Sequence, residues 1–190
     1  MSRKERRWGI EGIGQSKYLN VRATHPGPLR ILRCGPERAE EVHRLTQAAF
    51  ALYRTLDPPS GAARESVKRV VRDLAAGGGA VAELHGRAVG CLRWQVAANG
   101  DFHVRRAAVE PELQGRGIGR ALMAWAEEEA QRRGCTGVSV GVRAALPGNL
   151  EFYRRLGYAV TGEHRHDGYD RTTWLAMRKD LDRPPPAAEI

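Results

Sequence analysis

A chain of 190 residues, 42% hydrophobic and 28% charged, has the composition of one globular domain with little to spare for a second. Its three cysteines (Cys34, Cys91 and Cys135) are widely spaced and form no Cys-x-x-Cys pair, which argues against a disulfide framework or zinc ribbon and fits a reducing cytoplasm. The net charge of +9 gathers at the start, where residues 1–30 hold seven Lys or Arg against Glu5 and Glu11, so it is a weak footprint for nucleic acid elsewhere.

Residues 1–28 mix charges, Gly and Pro without a sustained period and read as a basic, disordered extension. No apolar stretch follows their charges, so they are no secretory signal, and no run in the chain approaches the ~20 apolar residues of a membrane span. Residues 29–33 suit a short strand. Pro36 then opens a helix reaching about Tyr53, because proline lacks an N–H that would be unpaired there anyway. Val42, Leu45, Ala49 and Leu52 give that helix one apolar stripe. Pro58 and Pro59 enforce a loop over 56–61. A second helix follows at 63–76, with Val67, Val70, Val71 and Leu74 on one side and Gly77-Gly78-Gly79 ending it.

Strands at 80–84, 88–96 and 102–109 come next, joined by His85-Gly86-Arg87 and by Asn99-Gly100. Asn-Gly tolerates positive φ at both central positions, so the second join reads as a tight hairpin turn. Pro111 stops the third of these strands. The helix at 118–133 buries Ile118, Leu122, Trp125 and Ala126, and Gly134 closes it. The β-branched run 136–142 suits a central strand. A short helix at 149–156, ended by Gly157, precedes strands at 158–163 and 172–178, and residues 182–190 read as a frayed tail.

One segment carries chemistry. Gln114-Gly115-Arg116-Gly117-Ile118-Gly119-Arg120 lies between a strand and the longest helix. A helix N-terminus leaves amides without partners and carries partial positive charge, glycines let an anion reach those amides, and two arginines add full charges. A diphosphate suits it. The chain has no Gly-Lys-Ser/Thr triplet for a P-loop, and the glycine spacing misses Gly-x-Gly-x-x-Gly from either Gly115 or Gly117.

Gln-x-x-Gly-x-Gly at 114–119, opening a helix after a strand, is followed about thirty residues later by Asn149-Leu150-Glu151-Phe152-Tyr153-Arg154-Arg155-Leu156-Gly157-Tyr158. The pairing resembles the GNAT superfamily of acetyl-CoA-dependent N-acetyltransferases, over residues 29–181 and in element order. The resemblance implies an α/β fold with a mixed, mostly antiparallel twisted sheet flanked by helices. It implies a cytoplasmic acyltransferase that moves the acetyl group of acetyl-CoA to a primary amine by direct attack in a ternary complex, with no metal. Many relatives pair as homodimers. Backbone amides of Gln114, Gly115, Arg116, Gly117, Ile118, Gly119 and Arg120 are then expected to hold the coenzyme A diphosphate. The strand edge at Ala107 and Val109 would pair with pantetheine, with an amide aimed at the thioester oxygen. That arrangement requires a bulge near Ala107 and a gap facing 136–142. Asn149 would bond the pantetheine.

Tyr153 lies four residues beyond Asn149, on the same helix face. A phenol, with a reference pKa near ~10 against ~8.5 for a thiol, stays neutral at working pH and keeps a proton for the departing sulfur. The family's base in some members is a carboxylate near the start of the fourth strand; the matching residue here is His103, and bulk or relayed water is the alternative. The acceptor, a small-molecule amine ahead of a protein amino group, would meet Asp57 in the 56–61 loop and Asp167, Tyr169 and Asp170 in the last turn, residue types that turns also favour.

A different class of function treats the basic tail as an RNA- or ribosome-binding module, with salt-sensitive affinity that depends on residues 1–30. Gly137-Val138-Ser139-Val140-Gly141 mimics a hydrolase nucleophile elbow but lacks the helix directly after the serine. His164 and His166 share a strand face without a third metal ligand at a recognisable spacing.

Overall fold

The computed structural model describes residues 29–181, so the readings of 1–28 and 182–190 as extension and tail lie outside the described residues. In chain order the elements are β1 (Leu29–Cys34), α1 (Ala39–Phe50), α2 (Val67–Ala76), β2 (Gly78–Leu84), β3 (Arg87–Val96), β4 (Phe102–Val109), α3 (Ile118–Arg132), β5 (Gly137–Arg143), α4 (Pro147–Arg155), β6 (Ala159–His164) and β7 (Trp174–Asp180). They form a seven-stranded sheet in the order β1-β2-β3-β4-β5-β7-β6. Every neighbouring pair is antiparallel except β4–β5, which the α3 crossover makes parallel. No described helix is long and apolar enough to cross a membrane.

Alternation along the strands sorts the core into two layers. On one face Leu92, Phe102, Val104, Val138, Val140 and Val142 pack under Ile118, Leu122, Met123, Trp125 and Ala126 of α3, the stripe expected from its spacing. On the other, Cys34, Val81, Ala88, Cys91 and Ala108 pack under Val42, Leu45 and Ala49 of α1 and Val70 and Leu74 of α2. Each fully buried aliphatic side chain contributes about 1.5–3 kcal/mol, so helices and sheet are fastened on both sides.

Four local readings need correction. Leu52 is 58% exposed rather than on the α1 stripe, because the last turn (Ala51–Tyr53) tightens to 3-10 and rotates it outward. The second helix starts at Val67, capped by Ser66 Oγ accepting from the Arg69 amide, after a separate 3-10 turn at Gly61–Arg64; Val71 is 37% exposed. The tight turn with positive φ at both centres is His85-Gly86 (φ +54° and +74°), between the paired Leu84 and Arg87. In the other hairpin only Gly100 (φ +83°) is left-handed, and Ala97 donates to the Asp101 carbonyl, so that loop is longer than Asn-Gly alone suggests.

Candidate active site

Parallel pairing between β4 and β5 covers only Phe102↔Val138, His103↔Ser139 and Val104↔Val140, after which the strands part. Just past the last rung, Arg106 adopts φ +53°, a region non-glycine residues rarely enter. The β3–β4 ladder shifts at the same place: Arg105 pairs with Arg93 and Ala108 with Cys91, leaving Arg106 and Ala107 opposite Leu92 alone. This is the expected bulge, and it bends β4 away from β5. It is held from the side by a buried network. Arg106 Nε donates to Glu65 Oε1 (2.9 Å), Arg93 Nη2 to Glu65 Oε2 (2.5 Å), and Arg93 Nη1 to Asp73 Oδ2 (2.7 Å).

A cavity of about 820 Å³ occupies the split. Phe50 and Tyr53 reach it from the α1 side, and Leu122 and Met123 of α3 from the opposite face of the sheet. Ala107 and Val109 form its strand edge. Gln114, Gly115, Arg116, Gly117, Gly119 and Arg120 form one end, and Asn149 and Tyr153 of α4 the other wall. The structure thus brings together ten of the residues expected to hold coenzyme. The side chain of Ile118 points away, 1% exposed in the core.

The turn at this end depends on glycine. Gly115 (φ +75°) and Gly117 (φ +86°) are left-handed, and Gly117 is the N-cap of α3. Among the described residues no side chain caps this helix, and no acidic residue lies in its first turn. Its first amides are therefore open to an outside acceptor, with the exposed Arg116 and Arg120 beside them. Gln114 Nε2 donates to the Val109 carbonyl (3.1 Å), tying the turn to the end of β4.

Asn149 and Tyr153 sit one helical turn apart in α4. The Tyr153 ring packs edge-on against Phe152 (5.1 Å) and Tyr158 (5.6 Å). Burial pushes its hydroxyl up to about 12, so it is protonated at every physiological pH. The Tyr158 hydroxyl donates to Glu127, whereas that of Tyr153 meets no hydrogen-bond partner among the described residues. Tyr153 thus carries the spare donor in the cavity wall.

The remaining candidates lie outside the cavity lining. His103 stands on β4 before the split, its Nδ1 3.0 Å from Ser139 Oγ. Burial and then Arg105 push its pKa below the ordinary imidazole value against the pull of Asp101, which leaves the ring neutral at pH 7. The 56–61 loop and the last turn meet: the Tyr169 hydroxyl donates to Asp57, and Arg171 Nη2 donates to Asp57 Oδ2 (2.8 Å). The Asp57 carboxylate is therefore engaged, while Asp167 and Asp170 stand exposed in the turn. Ser139 is a mid-strand residue of β5, not an elbow nucleophile. His164 stacks on Trp174 (4.0 Å), His166 bonds Thr173, and no His/Cys/Asp/Glu group among the described residues could hold a metal.

Sequence reasoning passed over Phe50, Tyr53 and the Glu65–Arg93–Asp73–Arg106 network. A signal for the network existed: Arg93 interrupts the apolar run Val89–Leu92 in β3, and a charge placed there needs buried acids.

The acetyltransferase (GNAT) family signature matches residues 41–158. The S-(2-succino)cysteine N-acetyltransferase of Bacillus subtilis is 30% identical over 133 residues, 66% of this chain and 81% of that protein. An uncharacterised N-acetyltransferase of Methanocaldococcus jannaschii is 36% identical over 84 residues, 41% of this chain but only 37% of that longer protein. The crystal structure of the PaiA N-acetyltransferase from Thermoplasma acidophilum, in complex with coenzyme A, has the same fold at a TM-score of 0.67 and 16% identity, over 81% of this chain and 99% of that one. Because the matched span runs unbroken from α1 through the parted strands to α4, the chain belongs to the GNAT family and is an N-acetyltransferase.

Proposed function

We propose that residues 29–181 form an acetyl-CoA-dependent enzyme that acetylates the primary amine of a small molecule. The observation that carries this reading is the parting of β4 from β5 at a bulge, with an uncapped helix N-terminus at one end of the resulting cavity and a free phenol in its wall. The amides of residues 114–120, with Arg116 and Arg120, take the diphosphate. Ala107 and Val109 offer the unpaired edge of β4 to the pantetheine amides, and Asn149 closes over them from α4. The amide re-aimed at the Arg106–Ala107 bulge donates to the thioester oxygen as it gains negative charge.

The Tyr153 hydroxyl donates to the departing thiolate. Its high pKa suits a hydrogen bond that strengthens as charge builds on sulfur, with the proton delivered only at the end. His103, neutral at pH 7, takes the ammonium proton of the acceptor through water. Direct attack in a ternary complex is favoured over an acyl-enzyme, since burial pushes the Cys34 and Cys91 thiols up to about 12 and no cysteine lines the cavity. A small acceptor is favoured because the name of the Bacillus subtilis relative describes one.

Tyr153→Phe tests the assignment. Turnover should fall ~10²- to 10⁴-fold, the worth of a positioned general acid, while the acetyl-CoA dissociation constant measured by calorimetry stays within a few-fold. An unchanged rate removes Tyr153 from the chemistry; absence of acetyl-CoA binding to the native protein removes the whole reading.

A further inference from the structure

Three residues beyond the last shared rung, Val104↔Val140, lie Ala107 on β4 and Arg143 on β5. Parallel strands advance at one rate, so counting on from that rung puts the two at about the same level on either side of the split, offset by the extra residue of the bulge, with Ala107 in the cavity lining and Arg143 just outside it. Val138, Val140 and Val142 are buried against α3, which turns Ser139, Gly141 and Arg143 to the opposite face, the face of α1 and α2. There Gly141 lies beside the Trp174 ring, where a Cβ would make an ordinary contact with Cε3 at 3.6 Å.

Arg143 is partly drawn into this surface without a carboxylate of its own. It donates through Nη2 to the Pro58 carbonyl, and its Nε is buried with no partner among the described residues. Among the described residues no Asp or Glu oxygen comes within salt-bridge distance of it. The acid that approaches it, Asp57, is already paired with Arg171 (2.8 Å) and hydrogen-bonded by Tyr169. Asp57 is thus taken by Arg171, and the Arg143 guanidinium beside it keeps no carboxylate partner among the described residues. Burial lowers the Arg143 pKa, followed by opposing pulls from Tyr169 and Asp57 and a further push from Arg171, as expected of a cation short of negative charge.

We infer that Arg143 anchors a carboxylate of the acceptor, and that the acceptor is therefore a free amino acid or a close derivative with its acid group near the reacting amine. The inference rests on the proposed position of the acetyl group at Ala107. An amine extended across the split toward Ala107 leaves a neighbouring carboxylate at Arg143, whereas a lysine side chain or a peptide N-terminus brings no acid to that place.

The test compares free amino acids with their methyl esters and decarboxylated amines, following thiol release from acetyl-CoA. The native enzyme should favour the acid by ~10- to 100-fold in kcat/KM, the range of a hydrogen bond to a charged group. Arg143→Ala should bring that ratio to about 1 through KM for the acid, and Arg143→Lys should keep part of it. Equal rates on acid and ester in the native enzyme, a preference that survives Arg143→Ala, or no turnover of any carboxylated amine each overturns the inference. If acetyl-CoA binds and only amines without a carboxylate react, this inference alone falls. If acetyl-CoA does not bind, the proposed function falls with it.

Discussion

Arg93 and Arg143 are both strand arginines on the α1/α2 face, and both have a buried Nε without a partner among the described residues. They differ in charge balance. Arg93, 1% exposed, is met by Glu65 and Asp73, which Arg106 and Arg69 share from outside. Among the described residues Arg143 has only the Pro58 carbonyl as a hydrogen-bond partner, and the nearby Asp57 carboxylate is paired with Arg171 instead. A buried charge with its partners supplied is a structural element, and its removal strands those partners. A desolvated charge left short of partners is a cost the fold carries, and such costs gather where a ligand completes the site.

The largest effect expected from this contrast is on stability at Arg93. Arg93→Met keeps the volume but leaves Glu65 and Asp73 with their outer partners only. It should cost about 3 kcal/mol, seen as a fall in Tm of roughly 6–12 °C in a thermal melt. A Tm within a degree of the native protein would show that the network is dispensable. The next effect falls on catalysis. Glu65→Gln preserves shape but weakens the hold on Arg106, so the bulge shifts and kcat should fall ~10- to 100-fold with little change in acetyl-CoA affinity. Arg106→Gly sharpens the point. Glycine adopts φ +53° freely, so a fully active Arg106→Gly enzyme would mean that backbone permissiveness, not the Glu65 tie, sets the bulge.

The contrast between these arginines shows where sequence reading stops. The order of elements, the buried stripe of α3 and the glycine turn before it were legible because each is written in a short window: a 3.6-residue period, a strand-to-helix junction, a closing Gly134 at φ +72°. The placement of Asn149 and Tyr153 on one helix face was legible for the same reason. The exposure of Leu52 was not, since a turn that tightens from α to 3-10 leaves no mark in the apolar spacing. Nor was Arg106 marked as the left-handed residue, because the bulge comes from the parting of β4 and β5 and not from a local preference of arginine. Leu92-Arg93-Trp94 and Val142-Arg143-Ala144 look alike along the chain. What separates them lies 28 and 20 residues away for Arg93 and 85 residues away for Arg143, in pairings that only the folded sheet creates.

The smallest expected effect is the most diagnostic of the pair. If Arg143 were another strut, Arg143→Ala would destabilise the protein as Arg93→Met does, by releasing the 56–61 loop from β5. If it is a charge kept for a ligand, the mutation gives up one hydrogen bond to the Pro58 carbonyl, about 1 kcal/mol, and recovers a similar amount by removing a desolvated cation. The two nearly cancel, and Tm without ligand should stay within about 2 °C of the native value or rise. Adding a carboxylated amine that is a substrate should then raise the Tm of the native protein but not that of Arg143→Ala, because only the native protein gains stability by binding it. A loss of several degrees in the ligand-free variant would move Arg143 into the same structural class as Arg93 and leave the acceptor's charge without a counterpart in the fold.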